Sequence, residues 1–250
     1  MTLAGWLRLA LIAAAIGALE LACRLGAVSP QAIVAPSVMV GGMLRAFADP
    51  DVLTDLLQTV LAVAAAVAAS VVGGFLIGFL VHGLPRTRRR LEPLLAVYYA
   101  VPNFAFYPLL IVLFGLGMGP LIVLGTLYGI VAMIAATLLA FDRVPAVMLR
   151  TARVLHLGPA RTLLEIRLPA AMPWLFSGIK LAIAYSFIGV IAGEFILSTA
   201  GIGHRIAFAY DNFDIVTMYG MILFVVIAVG GVNLVLHARE QRLMRTRTNG

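Results

Sequence analysis

Six stretches of the chain are almost continuously apolar: residues 6–23, 55–84, 91–116, 120–140, 174–195 and 218–236. Each is close to or above the ~20 residues that a helix needs to cross a bilayer core of ~30 Å. The pattern predicts an all-α polytopic membrane protein with about six transmembrane helices. The second run is long enough to tilt or project beyond the bilayer. The third contains Pro102 and Pro108 and predicts a kinked helix, a break tolerated where it faces protein or a water-filled cavity. For the first run, a cleaved signal peptide is the alternative to a membrane helix. Its length, and Glu20 where a lipoprotein site before Cys23 would carry an aliphatic residue, favour an uncleaved first helix.

Three polar segments change this picture. Residues 36–47 (PSVMVGGMLRAF) predict a short helix at the membrane surface, and residues 198–204 predict a flexible turn. The third, residues 141–173, is a basic insert between the fourth and fifth runs. Val144, Met148, Ala152 and Leu155 recur at spacings of three and four, with Arg150 and Arg153 on another face, which predicts a short amphipathic helix over residues 145–156. Gly158-Pro159 ends that helix, and Pro159 suits the first position of a second one running through Arg161 and Glu165. Pro169 biases Leu168 out of the helical region, so the second helix is expected to stop there. The product is an elbow. A solvated basic loop that only fixes topology would need neither its apolar positions nor its Gly and Pro boundaries.

Composition agrees with a membrane protein. The 250 residues are 62% apolar and 12% charged, against roughly 45–50% and about 25% in soluble domains. The net charge of +7 raises the possibility of nucleic-acid binding. Charge placement argues for topology instead. Arg8, Arg86, Arg88–Arg90, Arg143, Arg150, Arg153, Arg161, Arg167, Arg239, Arg242, Arg245 and Arg247 all fall on one side of the predicted spans. The other side holds Arg24, Arg45 and Arg205 among Asp49, Asp51, Asp55, Asp211 and Asp214. The positive-inside rule then places both termini and the insert in the cytoplasm. The arginines of residues 86–90 suit contact with anionic lipid headgroups. Lys180, inside the fifth span, suits snorkelling to the same surface.

Candidate chemistry is sparse. Cys23 is the single cysteine, and His82, His156, His204 and His237 show no ligand spacing, so no metal site is expected. There is no G-x-x-x-x-G-K-[ST] for nucleotide, no G-x-S-x-G elbow and no H-E-x-x-H. The chain is not expected to be an enzyme.

The insert is similar to a cytoplasmic motif of the form Glu-Ala-Ala-(x)3-Gly-(x)9-Ile-x-Leu-Pro. Ala152 and Ile166-Arg167-Leu168-Pro169 match in order and spacing. Arg150, Thr151 and His156 stand where Glu, Ala and Gly are usual. On this motif, on Arg89-Arg90-Leu91-Glu92-Pro93 with Ala100-Val101-Pro102-Asn103, and on Gly193-Glu194-Phe195 with Gly201-Ile202-Gly203, residues 36–242 resemble the transmembrane permease subunits of bacterial ATP-binding-cassette (ABC) importers, nearest the nitrate/sulfonate/taurine type.

The resemblance implies a first helix and periplasmic surface segment (residues 1–54), then a permease core (55–250) whose cytoplasmic coupling loop is 141–173. It implies an inner-membrane location, two ABC ATPase partners holding ATP and Mg, no cofactor in this chain, a periplasmic solute-binding protein and a second copy of the chain. The solute it suggests is a small anion such as a sulfonate, nitrate or aromatic carboxylate. ATPase coupling falls to Arg150, Thr151, Ala152, Arg153, Val154, Leu155, His156, Gly158, Arg161 and Glu165.

Polar and aromatic residues inside spans are the candidates for a translocation pathway, because polar groups are costly against lipid. They are Tyr98, Tyr99, Asn103, Tyr107, Tyr128, Tyr185, Ser186 and Glu194. Each also has a structural reading: an interfacial belt or core packing for Tyr98 and Tyr99, satisfaction of broken backbone for Asn103, interhelical contact for Ser186, a solvated carboxylate for Glu194. The alternative reading is a secondary transporter, which would need paired broken helices in two repeats or midplane coupling charges; the sequence shows one Pro-broken span, no repeat and few buried charges. An intramembrane enzyme, the more distant alternative, would need a convergent nucleophile and base, and none is apparent.

Overall fold

In the computed structural model the described residues are 3–29, 31–98 and 100–248, and every regular element among them is helical. The helices are α1 (Leu3–Arg24), α2 (Pro36–Ala46), α3 (Pro50–His82), α4 (Pro85–Tyr98), α5 (Tyr107–Phe114), α6 (Met118–Asp142), α7 (Ala146–Val154), α8 (Pro159–Arg161), α9 (Leu168–Leu197), α10 (Ile202–Asp211) and α11 (Ile215–Thr248). Five are long and apolar enough to cross a membrane, and α4 with α5 supplies a sixth crossing if counted as one bent span. All six expected spans therefore have a helical counterpart.

The core is the packing of α3, α6 and α9, and small residues make it possible. Ala62, Ala66, Ser70, Gly74 and Gly78 recur every fourth residue of α3 and are all buried. A Cβ on Gly74 would lie 2.6 Å from the Met133 Cβ, and one on Gly78 2.7 Å from the Thr137 Cβ. On α6, a Cβ at Gly129 would meet the Ser186 hydroxyl, the Ser70 hydroxyl (2.6 Å) and the Ala182 carbonyl (2.9 Å). Helices in lipid gain little from hydrophobic burial, so close backbone approach and interhelical hydrogen bonds hold them together. Ser70 and Ser186 supply one such bond, at 3.0 Å.

The third span is broken rather than smoothly kinked: α4 and α5 meet at 88° around Pro102 and a 3₁₀ turn (Asn103–Phe106). Its contacts climb α6 in order. Arg88 binds Asp142, Leu91 and Leu95 pack beside Leu138 and Ile134, the Tyr98 hydroxyl donates to the Leu127 carbonyl, and Tyr107 and Leu110 meet Leu121 and Leu124. The pair thus follows α6 from one end to the other.

At the end of the bundle away from Asp142, α2 forms where expected but packs on α11. Gly42 and Gly220 bring the two backbones together, since a Cβ on either would strike the other helix. α1 stands apart, tied by the Ser37 backbone N–H and hydroxyl, which donate to Glu20 (3.0 and 2.7 Å).

Candidate functional site

The elbow begins where α6 ends at Asp142. The Arg143 guanidinium lies 5.1 Å from the Trp174 ring centroid, and Val144 turns into the core. Helix α7 follows, with Ala152 buried and Leu149 and Leu163 packed beside the core cluster of Phe141, Val144 and Ala171. Of the apolar stripe read from the sequence, Val144 and Ala152 are buried. Met148 and Leu155 are exposed, as are Val147 (69%), Val154 (75%) and Leu164. Helix α7 is too small to bury apolar residues on two faces, and its second apolar face points outward.

The end of α7 explains one odd residue. The Leu157 N–H donates to the Ala152 carbonyl (3.0 Å) and the His156 N–H to the Arg153 carbonyl (3.1 Å). These are the two bonds of a Schellman cap, which needs a left-handed residue at its fifth position. His156 occupies it with φ 51°. Glycine adopts this conformation without steric cost, which is why a glycine suits this position.

After Gly158 the chain turns into α8, with Pro159 at its first turn. The second arm does not stop at Pro169. It passes through a π-helical turn (Thr162–Arg167) and continues into α9, so that residues 159–196 form one membrane-spanning helix. A π turn widens the backbone at one point, which relieves the clash between a proline ring and the preceding turn. The elbow is therefore a direct extension of the fifth span.

The ten proposed coupling residues lie together on this elbow. Arg150, Thr151, Arg153, Val154, Leu155, His156, Gly158, Arg161 and Glu165 are exposed, and Ala152 alone among them is buried. The Thr151 hydroxyl turns back to the Val147 carbonyl (3.2 Å). Arg161 and Glu165 are 3.9 Å apart and well exposed, a pair of little energetic weight.

Two ion clusters brace the same side. Arg88 grips both Asp142 oxygens (2.7 and 2.6 Å) and Glu92 (2.7 Å), joining α4 to the end of α6. Lys180 does not snorkel freely. Its Nζ lies 2.5 Å from Glu240, which also accepts from the Ser177 hydroxyl (2.8 Å), so α9 is tied to α11.

The pathway candidates divide into three groups. Tyr98, Asn103, Tyr107 and Tyr128 gather between the broken span and α6; Tyr107 and Asn103 are buried, and Asn103 Oδ1 has no hydrogen-bond partner. Ser186 is fully buried against Ser70, so in this conformation it joins helices. Tyr99 lies outside the described residues. Glu194 is not a solvated carboxylate: it is 1% exposed and accepts from the Gly203 N–H (2.9 Å) and the Thr59 hydroxyl (2.8 Å).

Glu194 belongs to a cap that the sequence pattern did not reveal. The Ile202 N–H donates to Thr59 Oγ1 (2.9 Å), and the Gly201 N–H to Asp55 Oδ1 (2.8 Å). Three consecutive free N–H groups of α10 are thus satisfied by side chains from α3 and α9, where the helix dipole favours negative charge. Gly201 (φ 103°) sits so close that a Cβ would strike the Glu194 carboxylate. The second half of the segment expected to be a flexible turn is therefore the capped start of α10. Arg205 extends the network to Asp55 (2.5 Å) and Asp49 (2.7 Å). The Asp51 backbone N–H and Arg205 hold the Asp49 carboxyl below the usual carboxylate range.

Residues 70–245, which include the broken span and the elbow, match the family model described as binding-protein-dependent transport system inner membrane component. A probable ABC transporter permease protein of Haemophilus influenzae is 34% identical over 136 residues, 54% of this chain and 56% of the relative. The nitrate import permease protein of Leptolyngbya laminosa is 30% identical over 148 residues, 59% of this chain and 52% of the relative. The matched segments span about half the length of these relatives. Among solved structures, an inward-facing MetNI methionine ABC transporter chain superposes with a TM-score of 0.65 at 16% identity, covering 77% of this chain and 96% of that one. With its model match across the core and the same helical fold, this chain belongs to the binding-protein-dependent transport system inner membrane component family.

Proposed function

We propose that the chain is the permease subunit of an ATP-driven importer. Two copies pair in the bacterial inner membrane with both termini in the cytoplasm, and two ATPase subunits holding ATP and Mg bind the elbows. A periplasmic binding protein delivers the solute at the α10 end. One observation carries this reading: the exposed elbow is continuous through a π turn with the membrane-spanning α9. A partner that moves the elbow moves a helix of the core, which is what coupling of hydrolysis to alternating access requires.

The coupling residues are Arg150, Thr151, Ala152, Arg153, Val154, Leu155, His156, Gly158, Arg161 and Glu165. Tyr98, Tyr99, Asn103, Tyr107 and Tyr128 are proposed to line the pathway once a second copy is present. Glu194 and Ser186 act there by positioning helices. The solute is a small anion such as nitrate, a sulfonate or an aromatic carboxylate, a class suggested by the family resemblance and by the nitrate permease among the relatives.

The test is co-purification of the full chain with the ATPase subunit of its own transport system. Wild type retains the ATPase through size exclusion, and Arg153→Asp with Leu155→Asp loses it. A wild-type chain that never associates with the ATPase refutes the reading.

A further inference from the structure

We propose that the elbow docks into an acidic cleft: Arg150 and Arg153 face carboxylates along one wall of a cleft on the cytoplasmic ATPase while the apolar stripe of α7 packs on its floor. This rests on the reading of the elbow as an ATPase docking site and specifies the partner surface that fits it.

That stripe has the layout of an interface. Val147, Thr151 and Val154 fall at positions i, i+4 and i+7 of α7, one stripe of a helix, and Leu155 extends it. Val147, Val154 and Leu155 are all more than 60% exposed. Arg150 and Arg153 lie side by side along one edge of this stripe, both exposed and, among the described residues, in no ion pair. No acidic residue occurs in α7, and the acid of the second arm, Glu165, lies beside Arg161.

The geometry argues against lipid as the occupant. Residues 159–196 form a helix of 38 residues, about 57 Å long at ~1.5 Å per residue, against a hydrocarbon core of ~30 Å. Trp174, with Arg143 against its ring, suits the cytoplasmic interface. From there to Pro159 the helix runs roughly 22 Å. A tilt of ~40° still leaves the elbow about 17 Å beyond Trp174, while the headgroup layer is only ~5–8 Å thick. The far end of α7, with Val154 and Leu155, stands in the aqueous phase, where the occupant that would cover it is a protein.

The sign of the partner's charge follows from desolvation. Covering the stripe draws two guanidinium groups partly out of water, and a neutral or basic cleft would leave both unpaired. Carboxylates restore the lost interactions, speed encounter and exclude partners of the wrong charge.

The experiment uses the full chain in nanodiscs with the ATPase subunit of its own system as probe. In an Arg150→Lys, Arg153→Lys variant, a zero-length carbodiimide joins amines to carboxylates. The expected result is cross-links from positions 150 and 153 to Asp or Glu of the ATPase, located by mass spectrometry. Arg150→Glu with Arg153→Glu is expected to weaken ATPase binding at low salt by roughly tenfold or more, with the difference shrinking at high salt. If the ATPase binds wild type but no cross-link forms and charge reversal leaves affinity unchanged, the acidic cleft is refuted while docking stands. If the ATPase does not bind wild type, the docking reading falls and the proposal with it. If phosphatidylglycerol discs without ATPase protect Arg150 and Arg153 from phenylglyoxal, and phosphatidylcholine discs do not, the arginines serve the membrane and the proposal is overturned.

Discussion

His156 holds the end of α7 in a conformation that costs an L-residue about 1–2 kcal/mol. Replacing it with glycine removes that cost but adds backbone freedom to the open state, worth about 0.5–1 kcal/mol. The side chain is exposed and makes no hydrogen bond among the described residues, so no packing is lost. The net effect of His156→Gly is a stabilisation of the elbow by about 0.5–1 kcal/mol, which is roughly two- to fivefold in an opening equilibrium. Hydrogen exchange of a peptide covering residues 150–158, in nanodiscs, reads this directly. Glycine should slow exchange of the two capping amides, His156→Ala should change it little, and His156→Val should speed it, because a β-branched residue is poorest at positive φ. Glycine that exchanges as fast as wild type, or valine that protects equally well, would refute the Schellman geometry.

Three further outcomes are expected. Gly129→Ala places a methyl against Ser70, Ser186 and the Ala182 carbonyl; it should cost about 1–3 kcal/mol, read as a lowered melting temperature in detergent, whereas Gly41→Ala, which meets nothing within 4 Å, should not. Glu194→Ala uncaps α10 and leaves Thr59 half-paired, at a cost of about 1–2 kcal/mol seen as faster exchange in residues 201–206, with Glu194→Gln intermediate. Asp49 has a depressed folded pKa, so its contribution is fully present above the unfolded value of ~3.9 and is lost as pH falls below it; protection of α10 should drop on acidification through that range, and Asp49→Asn should show the weaker protection already at neutral pH.

Much of the architecture was legible in the sequence because membrane crossing needs only length and apolarity. The elbow's boundaries were legible too, since Gly158 and Pro159 act locally. Where reasoning from single residues failed, tertiary structure was deciding. Pro169 was expected to end a helix, but the π turn before it lets the helix pass. Val144, Met148, Ala152 and Leu155 share one apolar period, yet only Val144 and Ala152 are buried, because an outward face and a core face carry the same apolar signal. Lys180 and Glu240 are 60 positions apart, and Glu194 and Thr59 are 135 apart, so no window along the chain could pair them. The fourfold spacing of Ala62, Ala66, Ser70, Gly74 and Gly78 was visible and would have located the face of α3 that packs.

In the proposed coupling, a partner that pushes the elbow drives the membrane helices. The most direct measurement is ATP-dependent solute uptake into proteoliposomes holding this chain, its ATPase and its binding protein, with wild type compared to Val154→Asp, Leu155→Asp. Uptake is expected to require ATP hydrolysis in wild type and to be lost in the variant, while the variant's solute-stimulated ATPase activity falls to the basal level of the ATPase alone. Uptake that persists in the variant, or that proceeds in wild type without hydrolysis, would contradict that coupling.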